Sequence, residues 1–197
     1  MNPATHLLVG WSVAQTAALE RRDRALVTLA GVIPDVDGLG IILDYAAGGP
    51  TNGLTWWWKF HHIFAHNIAA AIVVVAASAA LARRRVVTAA LAALAFHLHI
   101  LGDMAGSRGP DGYQWPIPYL RPFSDSWELT WSGQWELDAW PNFAITAVLL
   151  ALTLRLAWSR GYSPLELVSK RADRAFVAAL RNRFGEPGPS HGRGPSA

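Results

Sequence analysis

Cysteine is absent from this chain of 197 residues, which excludes disulfides and thiolate metal ligands and leaves the redox compartment unread. Charge is scarce as well. Asp, Glu, Lys and Arg make up 16% of the residues, against about 25% in an average soluble domain. Together with 52% hydrophobic residues and a mean hydropathy of +0.20, that shortage excludes a disordered chain or a basic nucleic-acid-binding domain and favours a membrane protein. The opening residues, MNPATHLLVG, lack the charged start of a secretory signal. The net charge of +3 is unevenly spread: residues 1–158 hold 10 basic and 11 acidic residues, and residues 159–197 hold 7 and 3. Basic character therefore belongs to the C-terminal segment.

What the chain does contain is a series of apolar runs, which predicts an all-α antiparallel bundle embedded in a membrane. A first helix, capped by Asn2 or Thr5, is expected to reach about Leu19 and to be closed by the charged cluster 20–24. A second run, Ala25 to Ile33, breaks at Pro34-Asp35-Val36-Asp37-Gly38, because proline disfavours helix in the residue before it. Residues 39–47 resume, and Gly48 to Gly53 form a loop. Ile63–Ala82, Val86–Leu101 and Phe143–Leu154 are near the lower end of the roughly 20 residues that cross a bilayer. Residues 105–141, with five Trp and many Gly, Pro and Ser, read as a long ordered loop, and such loops are usually functional. Pro164 to Phe184 has apolar residues at helical spacing and Lys170, Arg171, Arg174, Arg181 and Arg183 elsewhere. It predicts a basic amphipathic helix, on an anionic membrane surface or packed on the bundle. The organisation expected is a helical metal-site domain over 1–160, a surface helix over 161–184 and a disordered tail over 185–197, which removes His191 as a ligand.

Following the runs as antiparallel helices sorts the polar residues. His6, Asp35, Asp37, His61, His62, His66, His99 and Asp103 fall at one end, and Arg21, Arg22, Arg24, Arg83–Arg85, Arg155 and Arg160 at the other. The positive-inside rule puts the Arg end in the cytoplasm. Eight of the ten Trp lie in loops on the His/Asp side, where aromatic belts sit.

His62 and His66 are four apart, as are His99 and Asp103, so on a helix each pair shares a face. Imidazole and carboxylate ligands both hold Zn²⁺ at about 2.0–2.2 Å. Asp35 and Asp37 offer oxygens that bridge two cations or, alternatively, cap a helix. One of the adjacent pair His61 and His62 is a ligand and the other supports it, since neighbouring side chains diverge. His97, about 200° around the helix from His99 at 100° per residue, reads as a hydrogen-bonded core residue. Asp44, Asp125 and Asp138 read as caps or surface groups. Bare carboxylates and imidazoles at the mouth of an apolar bundle are costly, and pairing or a metal is the usual resolution.

These residues resemble a family, the bacterial inner-membrane metal-dependent hydrolases also described as LexA-binding hydrolases. The likeness rests on Thr5-His6 with Gly10, Gly31-Val32-Ile33-Pro34-Asp35-Val36-Asp37, the His61…His66 pair, His99-Ile100-Leu101-Gly102-Asp103, and the Trp/Pro segment from Trp115 to Phe123. Where the family has Arg after the first His of the third motif and closes it with Thr-His-Ser, this chain has His62 and Ala65-His66-Asn67. The resemblance implies one or two divalent cations, zinc first, held by His6, Asp35, Asp37, His61, His66, His99 and Asp103. It also implies a multi-pass protein of the bacterial inner membrane with its basic ends cytoplasmic. More distantly the order of motifs looks like the zinc-dependent phospholipase C superfamily, with Glu128 or Glu136 standing where its later ligands would be. The expected activity is hydrolysis of a phosphoester or lipid-linked phosphate by metal-activated water, with Asp35 or Asp37 taking the proton. Arg108 and Arg121 are the candidate phosphate contacts, membrane lipids are the expected partners, and no nucleic acid is expected. Two rival readings are a metal or proton carrier through His99 and Asp103, and a non-catalytic scaffold that binds a regulatory partner through the basic helix.

Overall fold

A computed structural model describes residues 1–48, 56, 60–109 and 112–188. Trp57, Trp58, most of the expected loop 48–53 and the tail from 189 onward, with His191, lie outside the described residues. Among the described residues seven α-helices carry the fold: α1 (Pro3–Ala14), α2 (Arg21–Ala30), α3 (Gly40–Ala46), α4 (Ile68–Leu81), α5 (Arg85–Gly106), α6 (Trp140–Arg160) and α7 (Lys170–Phe184). Short 3₁₀ helices cover Ile33–Leu39 and Pro164–Leu167. Among the described residues there are no strands, and the two isolated bridges fall in the Trp-rich segment.

Asn2 caps α1, its side chain accepting from the Thr5 amide. The helix ends at Ala14, five residues before the expected Leu19. The carbonyls that would continue it are engaged by arginines, Ala18 by Arg84 Nη1 (2.8 Å) and Leu19 by Arg24 Nη1 (2.6 Å). The charged cluster opens α2 instead of closing α1. Its Asp23, buried, accepts the backbone amides of Arg83 and Arg84 at 2.9 and 2.8 Å, fixing the α4–α5 turn. The helix expected over 164–184 is two pieces: Ser163 caps the 3₁₀ turn, Ser169 caps α7, and Val168 between them is exposed.

Helix α5 is central, packing on α1, α2 and α4. One core cluster joins Ala30, Ala71, Val74, Ala92, Phe96 and Ile100, with Ile117 of the Trp-rich segment closing its end. That segment is ordered by backbone pairing: Ile117 and Leu129 exchange amide bonds at 3.1 and 2.8 Å, Ile68 N–H donates to Tyr119 O (2.7 Å), and Trp135 N–H donates to Ala105 O (2.9 Å). α5 and α6 are long and apolar enough to cross a membrane, and α2 with residues 33–46, bent by 53°, makes a third span if counted as one. Helix α6 packs on α1 but leaves Phe143 and Val148 about two-thirds exposed, an apolar surface suited to lipid.

Two glycines set the α1–α2 crossing. A Cβ on Gly10 would lie 2.7 Å from Thr28 O, and one on Gly31 would lie 3.1 Å from Gly10 Cα. Both neighbours are backbone and cannot swing aside. Gly10→Ala should therefore cost about 1–3 kcal/mol as overpacking, measured by denaturant unfolding in detergent; an unchanged midpoint would contradict the crossing.

Candidate metal centre

The crossing at Gly10 and Gly31 delivers the first ligand. His6 of α1 is buried with Nε2 3.0 Å from Asp103 Oδ1, and its ring stacks on that of His99 at 3.7 Å. His99 and Asp103 lie one turn apart on α5 with Nε2 and Oδ2 3.0 Å from each other, as their spacing predicts. Helix α2 ends at Ala30, and the 3₁₀ helix that follows, with Pro34 in its first turn, brings Asp35 to His99, Oδ1 to Nε2 3.8 Å. The third group comes from an irregular turn. His62 and His66 were expected on one helix face, but α4 begins only at Ile68, where Asn67 caps it by accepting the Ala70 amide (2.9 Å). His62 adopts φ 66, a left-handed conformation uncommon outside glycine that clusters at functional sites. The turn points both histidines inward: His66 Nε2 is 3.2 Å and His62 Nε2 3.7 Å from Asp103 Oδ2.

The side chains form two donor groups, each with ligand atoms within 4.8 Å of one another: His6, Asp35, His99 and Asp103, and His62, His66 and Asp103. Asp103 belongs to both, with Oδ1 towards His6 and Oδ2 towards His99, His66 and His62, so the carboxylate placed to bridge is Asp103 rather than Asp35 or Asp37. Two expected ligands stand outside the groups. Asp37 is buried and accepts from His61 Nδ1 (3.0 Å), His66 Nδ1 (2.9 Å) and the Ala65 amide (3.3 Å), so it orients histidines. His61 is its partner, and His62 takes the inner position. The sequence could not choose between them because the choice depends on the positive φ at His62.

Tautomers follow from the outer partners. His99 Nδ1 lies 2.9 Å from the Gly31 carbonyl, which can only accept, so Nδ1 carries the proton and Nε2 a lone pair. His66 Nδ1 donates to Asp37 in the same way. Yet His66 Nε2 and His99 Nε2 are 3.1 Å apart. Two lone pairs facing at that distance repel unless a proton or a cation lies between or beside them. Burial lowers the His66 pKa, but hydrogen bonds to Asp103 and Asp37 outweigh it and push it up to about 9. A metal entering at neutral pH must displace that proton. His62 is driven the other way, by burial first and then by neighbouring His66, so it stays neutral with a lone pair for a ligand. Its Nδ1 and Asp35 Oδ2 are buried without a hydrogen-bond partner, a costly state that a bound group relieves. The Met1 ammonium lies against Asp103 Oδ1. Oxygen and imidazole donors, two orphaned polar atoms and two inward-facing Nε2 atoms fit a divalent cation. Because Asp37 fixes His61 and His66, Asp37→Asn should weaken metal affinity roughly 10–100-fold, read by competition with a chromophoric chelator; unchanged affinity would remove Asp37 from the centre.

A cavity of about 270 Å³, lined by Asp35, His61, His62, Ser107 and Trp115, opens onto the centre. A second, of about 530 Å³, shares His61 and Trp115 with it and adds Tyr113, Arg121 and Glu128. Arg121 thus adjoins the site, whereas Arg108 faces Glu136 at 3.6 Å. Neither Glu128 nor Glu136 enters a donor group. His97 is held by Ala93 O (2.7 Å) and the Tyr119 hydroxyl (2.6 Å), away from the ligands, as its angular position predicts. Asp44 caps the Trp56 amide at 2.9 Å. Sequence reasoning missed Gln134, whose Nε2 donates to the Asp103 carbonyl (3.0 Å) and whose Oε1 accepts the Trp115 amide (3.1 Å). It also missed Asn142, which binds the Gly106 carbonyl (2.9 Å) and Trp135 Nε1 (2.9 Å). The signal was faint: each is a buried amide in or beside a segment rich in tryptophan.

The family model of the YdjM inner membrane protein matches residues 1–179. No curated protein and no solved structure matches the chain, so the distant likeness to phospholipase C has no support.

Proposed function

This chain belongs to the YdjM inner membrane protein family, and from that premise we propose that it is a multi-pass metal-dependent hydrolase acting on phosphoesters at the membrane surface. The observation that carries the reading is the close approach of the His66 and His99 Nε2 atoms, 3.1 Å apart beside a shared Asp103, where a cation can take the place of the proton that His66 holds. His6, Asp35, His99 and Asp103 would hold one cation, and His62, His66 and Asp103 a second. All-nitrogen-and-oxygen donors with several imidazoles suit zinc. A cation bound there supplies Lewis acidity, polarising the phosphoester and making a bound water acidic near neutral pH.

The chain's own residues do the rest. Asp35 lines the cavity mouth with its Oδ2 unpaired, so it is the carboxylate placed to accept the proton of an attacking water. Asp37 is saturated by three donors and positions histidines. Gly31 O and Asp37 keep the Nδ1 protons of His99 and His66 outward and turn their Nε2 atoms inward, so that His66 offers a lone pair once its Nε2 proton is displaced. Membrane placement follows from the two ends. The His/Asp centre gathers at one, while at the other Arg84 meets Ala18, Arg24 meets Glu166, and Arg160 meets Gln15. We assign the Arg end to the cytoplasm.

The test uses the purified full chain in detergent, stripped by chelator and reloaded with Zn²⁺. It should hydrolyse bis(p-nitrophenyl) phosphate or p-nitrophenyl phosphate only when reloaded, and His99→Ala should lose at least about 100-fold of that turnover, about 2.7 kcal/mol of barrier. A chain that binds no metal ends the proposal. Metal binding without turnover, accompanied by Zn²⁺ or proton flux into vesicles, would make it a carrier instead.

A further inference from the structure

Beside the polar cavity runs an apolar groove of about 690 Å³ along the first turns of α4, lined by Ile33, Phe64, Ala70, Val73 and Val74. Arg121 and Ile63 line both the groove and the polar cavity, and that cavity shares His61 and Trp115 with the mouth at Asp35. The three spaces therefore adjoin in sequence, from the mouth at Asp35 to a surface where Phe64 and Val73 are about two-thirds exposed. The groove lies at the end of α4 nearest the centre, and α4 is a short apolar helix with Ile72 and Val73 exposed. Arg121 is the cation at the junction. Its partner Asp125 is exposed, and such a surface pair is worth about 0–1 kcal/mol, so an incoming anion replaces it at little cost. Glu128, which also lines the polar cavity, disfavours a second negative charge there.

We propose that the substrate is a membrane lipid carrying a phosphate headgroup, its acyl chain lying in the α4 groove and its phosphate oxygens on the Arg121 guanidinium, within reach of the Asp35 mouth. This rests on the hydrolase reading for the reaction and extends it to the substrate. A groove open sideways to lipid lets such a molecule enter without leaving the bilayer, and burying one CH₂ there is worth about 0.8 kcal/mol. A soluble phosphate gains nothing from it.

Binding is read without turnover, by photocrosslinking a phosphatidic acid that carries a diazirine on its acyl chain, in phosphatidylcholine nanodiscs containing the full chain. Crosslinks should concentrate on residues 63–75. Unlabelled phosphatidic acid should displace them, whereas inorganic phosphate and glycerol 3-phosphate at equal concentration should not. Arg121→Gln should reduce the yield about tenfold, and Val73→Trp, which fills an exposed part of the groove, should do the same. Val148→Trp on the exposed face of α6 should leave it intact, with circular dichroism confirming that each variant is folded. Labelling of residues 143–154 as strong as that of 63–75, displacement by inorganic phosphate, or an unchanged yield in Arg121→Gln would overturn the proposal. Selective labelling in a chain that hydrolyses no phosphoester would leave the groove standing and remove the hydrolase, and hydrolysis without selective labelling would do the reverse.

Discussion

Asp103→Asn is expected to empty the centre of metal, from one or two ions per chain to fewer than about 0.1, and to reduce phosphoester turnover roughly 1000-fold or more, about 4 kcal/mol of barrier. The size of the effect follows from position. Both donor groups found among the described residues include Asp103, and its two oxygens face His6 on one side and His66 and His99 on the other. An amide keeps the shape and still accepts from one imidazole, but it cannot place negative charge towards both groups. Fold should survive, because the carbonyl of residue 103 remains bound by Gln134 and Ser107, and unchanged helical circular dichroism checks this. His97→Phe supplies the contrast. His97 is two residues from His99 yet bonds Ala93 and Tyr119, so its loss should leave metal content unaltered. Full metal occupancy in Asp103→Asn, by elemental analysis, would refute the shared-carboxylate centre.

The all-helical class and the gathering of histidines and aspartates at one end were legible because both depend on local patterns. Apolar periodicity marks helices, and antiparallel succession alone sorts His6, Asp35, His66, His99 and Asp103 away from the arginines. The pair on α5 was legible for the same reason: four residues apart on a continuous helix fixes a shared face. The roles of His61, His62 and Asp37 were not, since they are set by a non-helical turn whose geometry depends on one positive φ and on long-range bonds to Asp37. The end of α1 was hidden too. Nothing near Leu19 announces that Arg24, five residues on, and Arg84, distant in sequence, will take the carbonyls of Leu19 and Ala18. Nor does the spacing of 164–184 reveal that Ser169 starts a new helix.

The largest stability effect should come from the opposite end of the molecule, where Arg24 and Glu166 form a buried two-pronged pair, Nε–Oε1 2.7 Å and Nη2–Oε2 2.6 Å. Arg24 also donates to Leu19 O and lies 3.7 Å over the Tyr162 ring, while Arg21 holds the Glu166 carbonyl. These contacts tie α2 to the 3₁₀ turn that leads into α7. Glu166→Gln strips the buried guanidinium of its paired carboxylate and leaves Asp173 as the acidic neighbour, so unfolding stability should fall by about 3 kcal/mol. Trypsin should then cut readily at Lys170 and Arg171. Replacing both partners with apolar residues, Arg24→Met with Glu166→Leu, removes the stranded charge and should recover most of the loss. Metal content should not follow stability in this series, because the pair and the metal centre sit at opposite ends of the bundle. A loss in Glu166→Gln below 1 kcal/mol would mean that α7 is held by its apolar contacts alone, and a parallel loss of bound metal would mean that the two ends are coupled through α2.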